Sequence, residues 1–137
     1  MPSGSCFCHK LEYEFTGEPQ GVAMCHCLSC KKISGGTHTV NLLIPEDKVH
    51  VTVGSPKQCT QIHESGMKLT VNFCGNCGGA IYKTADRETF AGLAIVQMGT
   101  IDEPDILKQV RPGMELYTKY RVPWLSSLED TIQKPEF

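Results

Sequence analysis

Met24-Cys25-His26-Cys27-Leu28-Ser29-Cys30 carries three thiols in C-x-C-x-x-C spacing, shortly before the pair Gly35-Gly36. Two further pairs flank it at a distance, Cys6-x-Cys8 near the N-terminus and Cys74-x-x-Cys77 past the middle. Of the eight cysteines, only Cys59 stands outside such spacing. Four thiolates close one tetrahedral zinc site, whereas three leave a second zinc with an open position. A closed site points to structure and an open one to chemistry, so the division of these thiols organises the rest of the chain.

Local geometry supports each pair. Cys6 and Cys8 are two apart, so an extended backbone turns both side chains to one face. In Cys74-Gly75-Asn76-Cys77-Gly78-Gly79 a tight turn aims two sulfurs inward, and Gly78 can take the positive φ that such a turn demands. Backbone N–H groups in these turns disperse the sulfur charge. Together Cys6, Cys8, Cys74 and Cys77 complete a four-thiolate site that ties the N-terminus to the middle of the chain. Cys25, Cys27 and Cys30 are then left a ligand short. That second zinc, with less thiolate charge on it, stays the better Lewis acid, and an exogenous thiol suits the vacancy. His26, between two ligands, is expected to point away from the metal. Gly35, Gly36 and His38 are the candidate substrate-binding positions. His38, His63 and Glu64 are the candidate general bases. The spacing also admits an iron–sulfur cluster on Cys25, Cys27, Cys30 and one more residue, or disulfides if the chain were secreted. Cys59 reads as a small buried apolar residue.

The composition sets bounds. A chain of 137 residues with 40% hydrophobic residues is expected to form one domain, residues 1–137, with metal sites adding to a lean core. Its formal charge is −2, and binding two zinc ions through seven thiolates would make it more negative, which argues against a nucleic-acid partner. No stretch approaches the ~18 apolar residues of a membrane span. Met1-Pro2-Ser3-Gly4-Ser5 lacks an apolar signal core, which points to a cytoplasmic protein with reduced thiols.

Periodicity predicts a mostly β protein with a few short helical turns. Leu11 to Phe15 alternates as a half-buried strand, and Val22 to Cys25 leads into the cluster. Cys27 to Ile33 reads as helical, because Cys27 and Cys30 then share a face, and Gly35-Gly36 ends it. Consecutive antiparallel strands are expected from Thr37 to Phe73, namely Thr37–Ile44, Lys48–Val53, Gln58–His63 and Lys68–Phe73. Ala80 to Tyr82 resumes the pattern. Thr89 to Met98 reads as a buried strand with a bulge at Gly92, and Asp102 to Leu107 as a helical turn. The tail from Val110 is expected to be an irregular wrap anchored by Tyr117, Tyr120 and Trp124.

Taken together, Gly4-Ser5-Cys6-x-Cys8, Cys25-His26-Cys27-x-x-Cys30, Gly35-Gly36, Phe73-Cys74-x-x-Cys77-Gly78 and Pro123-Trp124 resemble the glutathione-dependent formaldehyde-activating enzyme family, whose relatives include centromere protein V. The resemblance runs from about Gly4 to Trp124. It implies an Mss4-like, tent-shaped arrangement of antiparallel sheets with two zinc ions. Cys6, Cys8, Cys74 and Cys77 would hold the structural zinc, and Cys25, Cys27 and Cys30 the catalytic one. The implied activity is that of a carbon–sulfur lyase, with glutathione or a glutathione adduct as partner. The reaction would be formation or cleavage of S-hydroxymethylglutathione, or of a carbon–sulfur bond to another electrophile. The competing reading is a non-catalytic zinc module whose fourth ligand is His26 or His38 and whose aromatic tail meets a protein. Exposed sheet edges allow a homodimer.

Overall fold

The computed structural model describes residues 1–137. Its strands form two sheets. Strands β1 (Ser3–Ser5), β2 (Glu12–Phe15) and β5 (Val49–Val53) form a small antiparallel sheet. The large sheet contains β3 (Gly21–Cys25), β4 (Thr39–Pro45), β6 (Lys57–Ile62), β7 (Lys68–Phe73), β8 (Ala80–Ala85), β9 (Leu93–Gln97), β10 (Met114–Leu116) and β11 (Ile132–Gln133). Its order is β11-β10-β3-β4-β9-β8-β7-β6. Pairing is antiparallel throughout except at one edge, where β10 runs parallel to both β3 and β11. The helices are short, α1 (Leu28–Ser34) and α2 (Pro104–Gln109). None is long and apolar enough to cross a membrane.

The central strands of the large sheet are covered on both faces, and alternation along them sorts the residues. On β4, Leu42 and Ile44 face the small sheet, where they join Tyr13, Phe15, Ala94 and Val96 in the main core. Asn41 and Leu43 turn to the other face and border a small chamber. The four-thiol and three-thiol clusters belong to these opposite faces. Cys6 and Cys74 pack into the core between the sheets, whereas Cys25, Cys27 and Cys30 pack with Ala23, Leu116 and Tyr117.

Four expectations need correction. Val49–Val53 pairs with β2 in the small sheet rather than with its sequence neighbours, so the strands from Thr37 to Phe73 are not one meander. The Thr89–Met98 run is a strand only from Leu93 to Gln97, because Gly92 takes φ 72° and breaks the chain there. Cys59 lies on β6, an edge strand exposed along its whole length, and is not buried. Trp124 is 74% exposed and anchors nothing, whereas Tyr117 is buried as expected. The tail also gains order beyond the expected wrap, because Met114–Leu116 pairs with β3 and thereby covers the cysteine strand.

Candidate metal centre and its chamber

The four-thiol cluster grows from two turns. Cys6 and Cys8 lie in the link from β1 to β2, and Cys74 and Cys77 in the link from β7 to β8. Gly78 takes φ 77° there, and the Asn76 N–H donates to Cys74 Sγ at 3.3 Å. All four sulfurs lie within 4.8 Å of one another. Cys8 Sγ is 3.7 Å from both Cys6 Sγ and Cys74 Sγ. Tetrahedral zinc with Zn–S near 2.3 Å sets its sulfurs about 3.8 Å apart. A disulfide would bring two of them to about 2.05 Å, so the spacing is that of metal ligands and not of a bridge. The cluster joins the small sheet to the large one.

The three-thiol cluster is deeper. Cys25 ends β3, Cys27 caps the N-terminus of α1, and Cys30 sits on its first turn. The Cys30 N–H donates to Cys27 Sγ at 3.2 Å, and Gly35 closes the helix at φ 70°. The three sulfurs lie within 4.8 Å of one another and are all buried. Hydrogen bonds from Cys25 and Cys27 hold the Cys30 thiol well below its ordinary range, with help from Lys83 against the cost of burial. The same sharing pushes Cys27 upward, through Cys25 first and Cys30 next. A set of three packed thiols that compete for protons is a donor set for a soft divalent cation.

Beside these sulfurs lies a chamber of about 30 Å³. Its wall is mostly apolar, with Leu43, Met67, Ile95 and Phe137 among its members. Three polar side chains reach it: Asn41, His63 and Lys83. Lys83 is 2% exposed, its Nζ donating to Asn41 Oδ1 at 2.9 Å and lying 3.9 Å from Cys30 Sγ. Phe137 returns from the tail to stack on His63 at 5.2 Å, with edge contacts to Phe90 and Tyr117. On the outer side of His63 and Leu69, an open groove of about 370 Å³ runs past Leu28, Lys32 and Val71.

His63 is the one histidine beside the three-thiol cluster. It forms a donor set with Cys27 and Glu64 within 4.8 Å. Its Nδ1 accepts the Ser65 N–H at 3.0 Å and also pairs with Ser65 Oγ at 2.8 Å. A backbone N–H can only donate, so the proton of neutral His63 belongs on Nε2. A histidine that binds metal through Nε2 has the opposite arrangement, with Nδ1–H donating outward. Nε2 lies 3.2 Å from Glu64 Oε1, off the line of a hydrogen bond. Burial pushes His63 below the ordinary imidazole range, against the pull of Glu64. Glu64 in turn accepts from Ser29 Oγ at 2.8 Å, which fastens the β6–β7 turn to α1.

The other positions singled out in the sequence lie elsewhere. His26 is fully buried and donates Nε2–H to Glu115 Oε1 at 2.7 Å. Burial opposes the Glu115 carboxylate. Hydrogen bonds from Gln133, His26 and the Leu128 N–H outweigh that, with Arg121 nearby, and hold it at about 2. Neither His26 nor His38 joins a donor set with the three sulfurs. His38 pairs with Thr37 and borders a surface cleft near Gly78 and Gly79. The Gly35 N–H caps Lys31 O, and the Gly36 N–H donates to Ser34 Oγ. Lys83, Asn41 and Phe137 escaped the sequence reading. A lysine next to the strand Ala80-Ile81-Tyr82 was the one available signal.

Comparisons with known proteins agree with this architecture. A family model described as glutathione-dependent formaldehyde-activating enzyme matches residues 1–120. A protein of Talaromyces marneffei, named as a glutathione-dependent formaldehyde-activating enzyme, is 32% identical over 101 residues, which cover 70% of this chain and 53% of that protein. The chain thus spans about half the length of this curated relative. A crystal structure of a Rhodobacter sphaeroides protein, 17% identical, shares the fold with a TM-score of 0.56 over 79% of this chain and 96% of that one. Phe137 lies past the matched residues and still lines the chamber. With both thiol clusters inside the matched span, the chain belongs to the glutathione-dependent formaldehyde-activating enzyme family.

Proposed function

We propose that this protein is a zinc-dependent enzyme of the carbon–sulfur lyase type, which joins the thiol of glutathione to a small electrophilic carbonyl and reverses that step. Formaldehyde, giving S-hydroxymethylglutathione, is the electrophile that fits best. Cys6, Cys8, Cys74 and Cys77 would hold a structural zinc, and Cys25, Cys27 and Cys30 a catalytic one. A zinc ion on three thiolates would keep an incoming thiol ionised and remain a Lewis acid.

The observation that carries the reading is the buried three-thiol cluster facing a chamber whose nearest histidine holds its proton on the wrong nitrogen to be a ligand. A saturated, purely structural site would need that fourth ligand. The size of the chamber, about 30 Å³, supports a one-carbon electrophile, since one water needs about half that volume. The peptide part of glutathione would lie in the outer groove, where Lys32 offers a cation to a carboxylate. His63 and Leu69 border both spaces and form the wall they share. His63 would present Nε2–H to the entering sulfur, and Phe137 would keep water from the reacting carbon. Gly35, Gly36 and His38 line neither the chamber nor the outer groove, and this reading gives them no substrate contact.

The test is exchange between formaldehyde and S-hydroxymethylglutathione, followed by two-dimensional exchange NMR. The zinc-loaded protein should accelerate exchange, and chelation should abolish the effect. No acceleration by protein carrying two zinc ions per chain would refute the assignment.

A further inference from the structure

A lysine whose ammonium is sealed inside a protein demands a counter-charge or a ligand, because burying an unpaired cation is costly. Lys83 is 2% exposed, forms no ion pair with any carboxylate, and has the Cys30 sulfur as its one nearby counter-charge. Its placement depends on a register break between β7 and β8 at Asn72/Phe73. That irregularity shifts the phase of β8, so Lys83 pairs with Ile95 and turns to the chamber side. Asn41 holds it there. The Asn41 amide donates to Thr39 Oγ1 at 2.9 Å, which leaves its Oδ1 to accept from Lys83 Nζ at 2.9 Å. An ammonium has three N–H donors. One goes to Asn41, and a second points at Cys30 Sγ, 3.9 Å away. The third has no partner in the protein.

We infer that Lys83 is a catalytic residue that receives the oxygen of the electrophile. This rests on the thiol-plus-carbonyl chemistry proposed above. In that reaction the thiolate electron pair forms the carbon–sulfur bond, and the carbon–oxygen π pair moves onto oxygen. The oxygen then takes from solvent the proton that the thiol gave up on binding. In the reverse direction the oxygen loses that proton, the carbonyl reforms and the carbon–sulfur pair returns to sulfur. Negative charge therefore appears on oxygen in both directions. Around it the chamber offers apolar walls, Asn41, His63 and the free N–H of Lys83. A donor fixed in advance at the point where charge develops acts without reorganisation, and removing such a donor costs on the order of 10² to 10³ in turnover.

The experiment compares wild type with Lys83→Met, which keeps the length and removes the charge. Two stable probes are titrated into the zinc-loaded proteins by calorimetry: glutathione sulfonate, which carries oxygens on sulfur, and S-methylglutathione, which does not. Wild type should prefer the sulfonate. Lys83→Met should lose at least about tenfold on the sulfonate and change less than about threefold on the methyl compound, a split expected of one lost anion contact. Its kcat for formaldehyde addition should fall about 100-fold or more, with the KM for glutathione little changed. If Lys83→Met fails to fold, Lys83→Gln takes its place with the same expected split. Equal affinities in wild type and variant overturn the inference, whatever the turnover. Absence of glutathione-dependent turnover in wild type counts against the proposed function alone, and the sulfonate split still decides the role of Lys83.

Discussion

The two thiol clusters differ in what surrounds them more than in what they are. Cys6, Cys8, Cys74 and Cys77 sit on two turns at the junction of the sheets, with Cys8 and Cys77 partly exposed and an open surface cleft passing Cys6. Cys25, Cys27 and Cys30 are wholly buried, and a lysine, an asparagine and a histidine converge on the space next to them. Four sulfurs satisfy a tetrahedral ion, so the first cluster has nothing left to offer a substrate. Three do not, and the fold has placed polar groups around the remaining direction. In the function proposed above, ligand count would separate a staple from a reaction centre, and the surroundings of the two clusters support that division.

This contrast can be broken by mutation. The largest effect should come from Cys74→Ser. It removes a ligand from the cluster that ties both sheets, and structural zinc contributes about 10 kcal/mol or more to folding. Loss of one zinc with global unfolding, followed by circular dichroism and metal analysis, is the expected result. A folded, zinc-replete variant would contradict the structural role. Cys30→Ser should behave oppositely: the melting temperature moves by a few degrees while glutathione-dependent exchange falls by about three orders of magnitude, the loss expected when the thiol is no longer activated. If Cys30→Ser and Cys74→Ser have the same phenotype, the division of roles is wrong.

A smaller effect belongs to the support beneath the three-thiol cluster. Glu115 fastens His26, which lies between Cys25 and Cys27, and its side chain is about 1% exposed. Glu115→Gln should cost about 2 kcal/mol in urea unfolding at pH 7, typical of a weakened buried charge network. Because Glu115 is held at about 2, below its ordinary 4.5, its stabilisation is complete above about pH 4.5 and drains away as pH falls toward 2. The gap between wild type and Glu115→Gln should close over that window, and a pH-independent gap would refute the linkage. The smallest effects should come from Cys59→Ser and Trp124→Ala, both exposed positions. Each should stay within about 0.5 kcal/mol of wild type.

The cysteine spacing made both clusters legible in the sequence, because ligand pairs need only short-range geometry. Cys27 at the cap of α1 and Gly35 at its end follow from local rules too. The strands were readable where alternation was clean, as at Tyr13 and Phe15. Sheet membership was not, since Val49–Val53 joins β2 through contacts no local pattern encodes. Cys59 misled for a related reason: an edge strand shows the same β-prone residues as a buried one. Lys83 was hidden by the register break, which turns it to the chamber side on a strand where simple alternation would set it with Ile81. His63 was visible as a candidate base, but only the Ser65 N–H reveals which nitrogen carries the proton. The surroundings of the three-thiol cluster are thus long-range features, whereas its thiols are local ones.

The central claim is that Cys25, Cys27 and Cys30 leave one position for an outside thiol. Zinc-edge X-ray absorption on the two-zinc protein, recorded before and after adding glutathione, tests it most directly. The sulfur count per zinc, averaged over both sites, should rise from about 3.5 to about 4. An unchanged count, or a histidine nitrogen in the first shell that glutathione does not displace, would contradict the account.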